Sequence, residues 1–473
     1  MKGEKKMAKK KLTWDERDRQ ILESRRRFMR NTSLILASAG VASATRLNLV
    51  DELARKMFPA AYAAENQIKR MIFIGVRAGF PVIGIGSDGT FRSHNAVQTP
   101  NFPYFGNQVA PTEVAGVAGD SRLHLTPASS PHLARHAENL AITQGVQTQG
   151  GHVSLFNFWQ GGAGQSQTSP IIDLAERNTS GSMIPGVHFL SNNPGRNRRV
   201  THQLNGKADL LTVHEQNFTD NFKRPSLLLT HQETEKVLAA AATLSRRQAR
   251  RIQGIVDNPM VTAQRHHRGA EMLQVDYSTA LGINDMGNML NGSGPHQRFG
   301  RSLAYTLKAM SLNLVNSATV ELNVGDWHGL RNDSITRPHY ESVAEKLGLA
   351  ADYLKRTPDP ANPNKTLWDS TLIAVGSEFT RLDRDFNQDN GDGGSQGILL
   401  LGPNVNGGYY GEFNFTGGSG RTRVLSFRGF DPETGRKRNE LNTTTELYHT
   451  LNALLDNPGV NRSLVWNAFV KKT

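Results

Sequence analysis

The sequence predicts an α/β layered fold around a largely parallel sheet. Short apolar runs at residues 71–76, 372–375 and 398–401 read as buried strands. Segments with apolar residues at helical spacing alternate with them, the pattern that joins parallel strands through crossover helices. The 45 glycines and 20 prolines supply the turns between them. A chain of 473 residues is long enough for two or three small domains, or for one large α/β domain with insertions. At 37% hydrophobic and 21% charged, its composition is that of a soluble globular protein. No apolar run reaches the roughly 20 residues that cross a bilayer, so no stable membrane span is expected.

The first element is a leader. Residues 24–30, Ser-Arg-Arg-Arg-Phe-Met-Arg, resemble the twin-arginine export motif S-R-R-x-F-L-K, with Met29 in place of Leu. A weakly apolar stretch rich in Ala and Ser follows at 31–44. Ala61-Tyr62-Ala63 offers a small-x-small cleavage site, and Ala42-Ser43-Ala44 a second. Residues 1–63 therefore read as a signal for the twin-arginine translocase, which exports chains already folded, and a periplasmic or secreted location is expected. The net charge of +13 is concentrated there. The leader holds 15 Lys and Arg against 7 Asp and Glu, whereas the rest of the chain holds 40 against 35. That balance argues against a nucleic-acid partner. The absence of cysteine excludes disulfides, thiolate metal sites and cysteine nucleophiles.

Beyond the leader, residues 71–76 form the first strand and a loop-rich stretch runs to about residue 131. A short helix is expected at 133–140 and a strand from Ala141. Residues 168–177 read as a helix, with Thr168 or Ser169 as N-cap and Pro170 in its first turn. Residues from about 205 to 316 look mainly helical, a candidate insertion or cap. Within them, 232–255 and 301–316 carry the clearest apolar faces. A strand at 318–324, a helix at 343–355, strands at 372–375 and 398–401, and a helix at 446–455 complete the order.

Several motifs carry chemistry. Gly84-Ile85-Gly86-Ser87-Asp88-Gly89 matches G-x-G-x-x-G, but the Pro-rich loop expected after it makes it a turn rather than a dinucleotide site. Asp326-Trp327-His328 follows a strand, and two side chains two apart on an extended chain point the same way, toward one metal ion. Ser377-Glu378-Phe379-Thr380-Arg381 also follows a strand. Asp383, Asp385, Asn387, Asp389 and Asp392 then alternate in a Gly-rich loop, where Gln388 and Gly394 break the calcium-loop pattern. His152, after Gly150-Gly151, is a candidate ligand or base. Thr168 and Ser169 open a helix, whose N-terminus lowers a hydroxyl's pKa or binds an anion. For each there is a structural alternative: a hydrogen-bonded histidine, an N-cap, a solvated acidic loop.

Taken in order, these blocks resemble the exported, largely uncharacterised bacterial proteins related to alkaline phosphatases and sulfatases. They are residues 70–73; Gly151-His152 with Trp159 and Gly161; Ser169-Pro170-Ile171-Ile172-Asp173; Asp326-Trp327-His328; the block from Ser377 to Arg381; Asp392-Gly393-Gly394; and the Gly-rich turn from Gly402 to Gly411. The resemblance covers about residue 68 to the C-terminus. It implies an alkaline-phosphatase-like three-layer sandwich over residues 64–473, with the helical insertion at about 205–316. It also implies a hydrolase of phosphate or sulfate esters, acting on an anionic small molecule or polymer. Asp326, His328 and Asp392 would bind a divalent metal (Zn, Ca or Mn). His152 and Glu378 would assist, Arg381 would clamp the anion, and Thr168 or Ser169 would be the nucleophile. Two departures stand out. Arg77-Ala78-Gly79 follows the first strand where the family has an acidic or amide residue, and Gly393 replaces the His of the D-H-G block. With them the resemblance implies one metal ion or none, and the second expectation is a non-catalytic binding or assembly protein on the same fold.

Overall fold

The predicted apolar runs come together in one eight-stranded sheet. This computed structural model describes residues 68–77, 79–80, 82–87, 112–113, 123–147, 170–177, 182, 184–189, 211–222, 277–324, 333–377, 381–382, 391–392, 395–416, 424–457 and 460–471. All of these belong to the unit Gln67–Thr473, and the leader at 1–63 lies outside them.

In chain order, β1 (Arg70–Val76) precedes three short strands, β2 (Gly86–Ser87), β3 (Thr112–Glu113) and β4 (His124–Leu125), which form a small antiparallel sheet. α1 (Ser130–Leu133) tightens into a 3-10 helix that delivers the chain to β5 (Leu140–Gln147). Then come α2 (Pro170–Arg177), β6 (Ile184–Phe189), β7 (Leu211–Val213), α3 (Gly294–Ser311), β8 (Val315–Leu322) and α4 (Asp333–Arg356). β9 (Pro358–Asp359) and β10 (Asn362–Thr366) pair before β11 (Thr371–Gly376). β12 (Arg381–Leu382), β13 (Gly391–Asp392), β14 (Ser395–Leu401), β15 (Gly408–Tyr410), β16 (Glu412–Thr416), β17 (Val424–Arg428) and α5 (Thr444–Leu454) follow.

The sheet order is β15-β5-β14-β11-β1-β8-β6-β7. β14 runs against both its neighbours, and the other seven strands share one direction. Such strands need both faces covered, so β1, β8, β11 and β14 are buried along their whole length. Alternate residues feed two apolar clusters. Ile72, Ile74, Val320 and Val375 pack with α3 and α4 through Leu303, Leu307 and Leu347. Met71, Phe73, Ala374 and Leu400 pack on the opposite face with α2 and α5 through Ile171, Leu174 and Leu451. Helices therefore cover both faces of the sheet.

The structure differs from the sequence reading in places. The helix expected at 301–316 begins at Gly294 and stops at Ser311, because Asn313 takes a left-handed conformation (φ 53°) and turns the chain into β8 three residues before the expected strand. α3 is a core helix on the sheet rather than part of a cap, and β7 lies within the segment read as helical, so any helical insertion is confined to residues between Phe222 and Tyr277, which include the helix expected at 232–255 and lie outside the described residues. The expected helix at 133–140 is mostly 3-10, and Leu140 already belongs to β5. α4 starts ten residues before the expected Val343 and carries Pro338 inside it.

Candidate functional site

The parallel strands end on one edge of the sheet, where ligands gather in open α/β folds. The strands that lead to the candidate residues all reach that edge. β5 ends at Gln147, five residues before His152. β8 ends at Leu322, four before Asp326 and six before His328. β11 ends at Gly376, two before Glu378. β14 runs the other way, so its start at Ser395, three residues after Asp392, lies on the same edge. Thr168 and Ser169 immediately precede α2. His152, Thr168, Ser169, Asp326, His328 and Glu378 themselves lie outside the described residues.

Arg381 and Asp392 are brought together. They are direct cross-strand partners where β12 pairs with β13, and Leu382 pairs with Gly391. This short antiparallel pair springs from β11 and β14, themselves antiparallel neighbours. The two candidates, eleven positions apart in sequence, thus stand opposite each other in a separate two-stranded sheet, whose strands follow β11 and precede β14 in the chain. Asp392 accordingly lies in a strand rather than in the loop expected for it.

At the end of β1 the chain places Arg77 on β8. Arg77 Nε and Nη2 both donate to Glu321 Oε1, at 2.9 and 2.6 Å. The Glu321 side chain is 1% exposed and that of Arg77 28%. Two charge-assisted hydrogen bonds thus meet on one oxygen of a buried carboxylate, and removing Arg77 would take them from a buried charge. The next residues turn sharply. Gly79 has φ 89°, and the backbone N–H groups of Gly79 and Phe80 donate to Ser377 Oγ at 3.2 and 3.1 Å. Ser377, first residue of the S-E-F block, therefore fastens the exit of β1 to the exit of β11.

β8 also carries a polar stripe. Ser317, Thr319 and Glu321 alternate with Ala318, Val320 and Leu322, and all six are buried. Thr319 pairs with Phe73 on one side and with buried His188 on the other, while Glu321 is level with Gly75, and Gly75 with Gly376. Cross-strand partners share a face, so the polar stripe runs beneath α2, and two adjacent glycines leave its outer end without side chains. Sequence reasoning missed Glu321, Thr319 and His188. The signal was present: polar residues at every second position of a strand that is central, and so buried on both faces.

Gln396, second residue of β14, was also missed. It is fully buried, and neither Nε2 nor Oε1 of its amide has a hydrogen-bond partner. The register pairs it with Val146, and it stands two residues before Ile398, the partner of Gly376. The G-x-G-x-x-G stretch begins at the end of a 3-10 turn and enters strand β2; Asp88, Gly89 and the segment after them lie outside the described residues. Among the described residues, no three His, Asp or Glu side chains converge to hold a metal ion, and no helix is long and apolar enough to cross a membrane. No family model, no curated protein and no solved structure matches the chain.

Proposed function

We propose that this chain is an exported, alkaline-phosphatase-like protein that hydrolyses a phosphate or sulfate ester with the help of one divalent metal ion. The observation that supports this reading most is topological. The strands leading to or from His152, Asp326, His328, Glu378, Arg381 and Asp392 all meet one edge of the sheet, and Arg381 and Asp392 are paired residues of one hairpin. Asp326, His328 and Asp392 form the proposed ligand set. Its mixture of imidazole and carboxylate suits zinc or manganese better than calcium, which prefers an all-oxygen shell. Bound there, the ion would draw charge from the ester oxygens as a Lewis acid. Arg381 holds the anion, Thr168 or Ser169 ahead of α2 supplies the attacking hydroxyl, and His152 or Glu378 takes its proton. The twin-arginine leader supports delivery to the periplasm or beyond.

One observation favours a second reading, a non-catalytic binding or assembly protein on the same scaffold. Arg77, where the family resemblance calls for an acidic or amide residue, spends its charge on Glu321. A fixed guanidinium beside the first strand's end takes the place of a ligand for a second metal ion. The test is hydrolysis of p-nitrophenyl phosphate and p-nitrophenyl sulfate by the purified chain, with zinc, manganese or calcium restored after chelation. Turnover that Asp326→Ala abolishes, and that Arg381→Ala weakens mainly through KM, is the expected result. A folded, metal-supplemented protein with no turnover of either ester turns the function to binding.

A further inference from the structure

An asparagine followed by glycine is a chemically fragile pair, because glycine has no side chain to keep its backbone nitrogen away from the asparagine's amide carbon. The attack also needs freedom: an unbonded nitrogen, and room for the bond between the two residues to turn. Four such pairs occur in the chain, at Asn205, Asn291, Asn390 and Asn406. Asn205, Gly206 and Asn390 lie outside the described residues, and the other two pairs stand in opposite environments. Asn291, Gly292, Ser293 and Gly294 are all exposed, between the 3-10 helix Asn284–Leu290 and the first turn of α3. Among the described residues, no group accepts a hydrogen bond from Gly292 N–H. The Asn291 amide donates to Asn288 Oδ1 at 3.3 Å, on the surface. A Cβ added at Gly294 would meet nothing within 4 Å, so the backbone here has room to move. Asn406 is held on every side. Its Nδ2 donates to Ala468 O at 3.0 Å, its backbone N to Phe469 O at 2.8 Å, and Gly407 N to Glu138 O at 3.1 Å. A Cβ on Gly407 would lie 2.0 Å from Ala137 O.

We infer that Asn291 is a site of spontaneous covalent modification, deamidating in the folded protein, and that the fold protects Asn406 from the same reaction. The inference is independent of the ester reading. Gly292 N gives its proton to solvent and attacks Asn291 Cγ. A new N–C bond closes a succinimide ring, the Cγ–Nδ2 bond breaks, and the side-chain nitrogen takes up a proton and leaves as ammonia. Water then opens either ring carbonyl. One product is aspartate, and the other is isoaspartate, whose backbone runs through the former side chain. Nothing but water is consumed, and no electrons are transferred. Both products put a new carboxylate ahead of α3, where the N-terminal dipole favours negative charge, so the fold can carry the change. At Asn406 the reaction must wait for the local structure to open and release Gly407 N. Two net hydrogen bonds alone slow it about tenfold or more.

The test incubates the full-length folded chain in warm, mildly alkaline buffer and follows both asparagines by peptide mapping and mass spectrometry. A parallel sample is held in urea. The expected result is conversion at Asn291 about tenfold or more faster than at Asn406 in the folded chain, with the two rates drawing together in urea. In Asn291→Gln, whose longer side chain closes the ring poorly, the peptide spanning residue 291 should stay unmodified although Asn284 and Asn288 remain. Comparable rates at the two positions in the folded chain, or no conversion at Asn291, overturn the inference. A ratio that urea leaves unchanged overturns it too, since the local sequence rather than the fold would then set the rates. Modification of the same peptide in Asn291→Gln would move the site to another asparagine and overturn the assignment.

Discussion

At the scale of single residues, the fold places its most expensive charges far from the candidate site. Arg70, at the start of β1, is fully buried, and its Nη1 donates to Asp359 Oδ2 at 2.9 Å and to Ser370 Oγ at 2.7 Å. Ser370 Oγ lies 2.6 Å from the same Asp359 oxygen, and Ala361 N donates to its other oxygen at 2.8 Å. Burial lowers the Arg70 pKa, while Asp359 raises it. Burial pushes Asp359 up, but the Arg70 charge and the hydrogen bonds from Ser370, Arg70 and Ala361 outweigh it and hold the carboxyl below its ordinary value. Asp359→Ala leaves a guanidinium buried without its counter-ion. The expected loss is about 3–5 kcal/mol, read as a lower urea midpoint. A loss below about 1 kcal/mol would mean that the network contributes little. No sequence pattern announces this pair, since 289 positions separate the two residues. An Arg opening an apolar strand reads only as part of a motif, and its partner sits in the two-residue strand β9 that follows α4.

At the scale of elements, close packing sets the tolerances. A Cβ at Gly300 in α3 would lie 2.0 Å from the Met289 carbonyl oxygen, on the 3-10 helix packed beside it. Backbone cannot yield as a side chain can, so Gly300→Ala should cost about 1–3 kcal/mol, seen as a lower thermal midpoint with unchanged secondary structure. An unchanged midpoint would show the two helices free to separate. The strands β1, β11 and β14 were legible because each is an unbroken apolar run, which a strand buried on both faces requires. β6 was not, since Pro185, Gly186 and His188 break its pattern, and only its place beside β8 makes it a strand. The pair β16 and β17 escaped for a different reason: its ten paired residues mix polar and apolar side chains on either side of a Gly-rich stretch of sequence, and such a pattern reads equally well as loop. The expected end of α3 lies five residues beyond the observed one, although Asn313 between two leucines is a recognisable left-handed stop. Of the candidate site, the metal and acid–base candidates came from motif order, and the pairing of Arg381 with Asp392 came only from the structure.

At the scale of the whole molecule, stability should depend on pH through two histidines. Burial, then the Lys355 charge, pushes His136 down to about 4, with Lys355 Nζ 3.1 Å from its Nδ1. Burial, then His339 and Lys346, pushes His296 down to about 4, and its Nε2 lies 2.8 Å from His339 Nδ1. Both folded-state values lie below the ordinary histidine value, so the unfolded chain takes up protons first as pH falls. Their contribution is complete above about pH 7 and is lost progressively between 6.5 and 4. After allowance for partial solvent screening it should amount to about 1 kcal/mol for each residue. Urea midpoints should therefore fall across that window in the wild type and fall less in a His136→Gln, His296→Gln double variant. A midpoint that stays level down to pH 4 would contradict these environments. Asp359 adds a separate loss at lower pH, as the medium falls below the ordinary carboxylate value.

The same scale holds the central claim, that one edge of a largely parallel sheet carries a single-metal ester site. Its most direct test is the metal content, by plasma mass spectrometry, of the protein purified without chelators. The expected result is close to one zinc or manganese ion per chain, lost in Asp326→Ala and in Asp392→Ala while the fold is retained. A well-folded wild-type protein that carries no divalent metal would contradict the claim and leave the carboxyl edge as a binding surface alone.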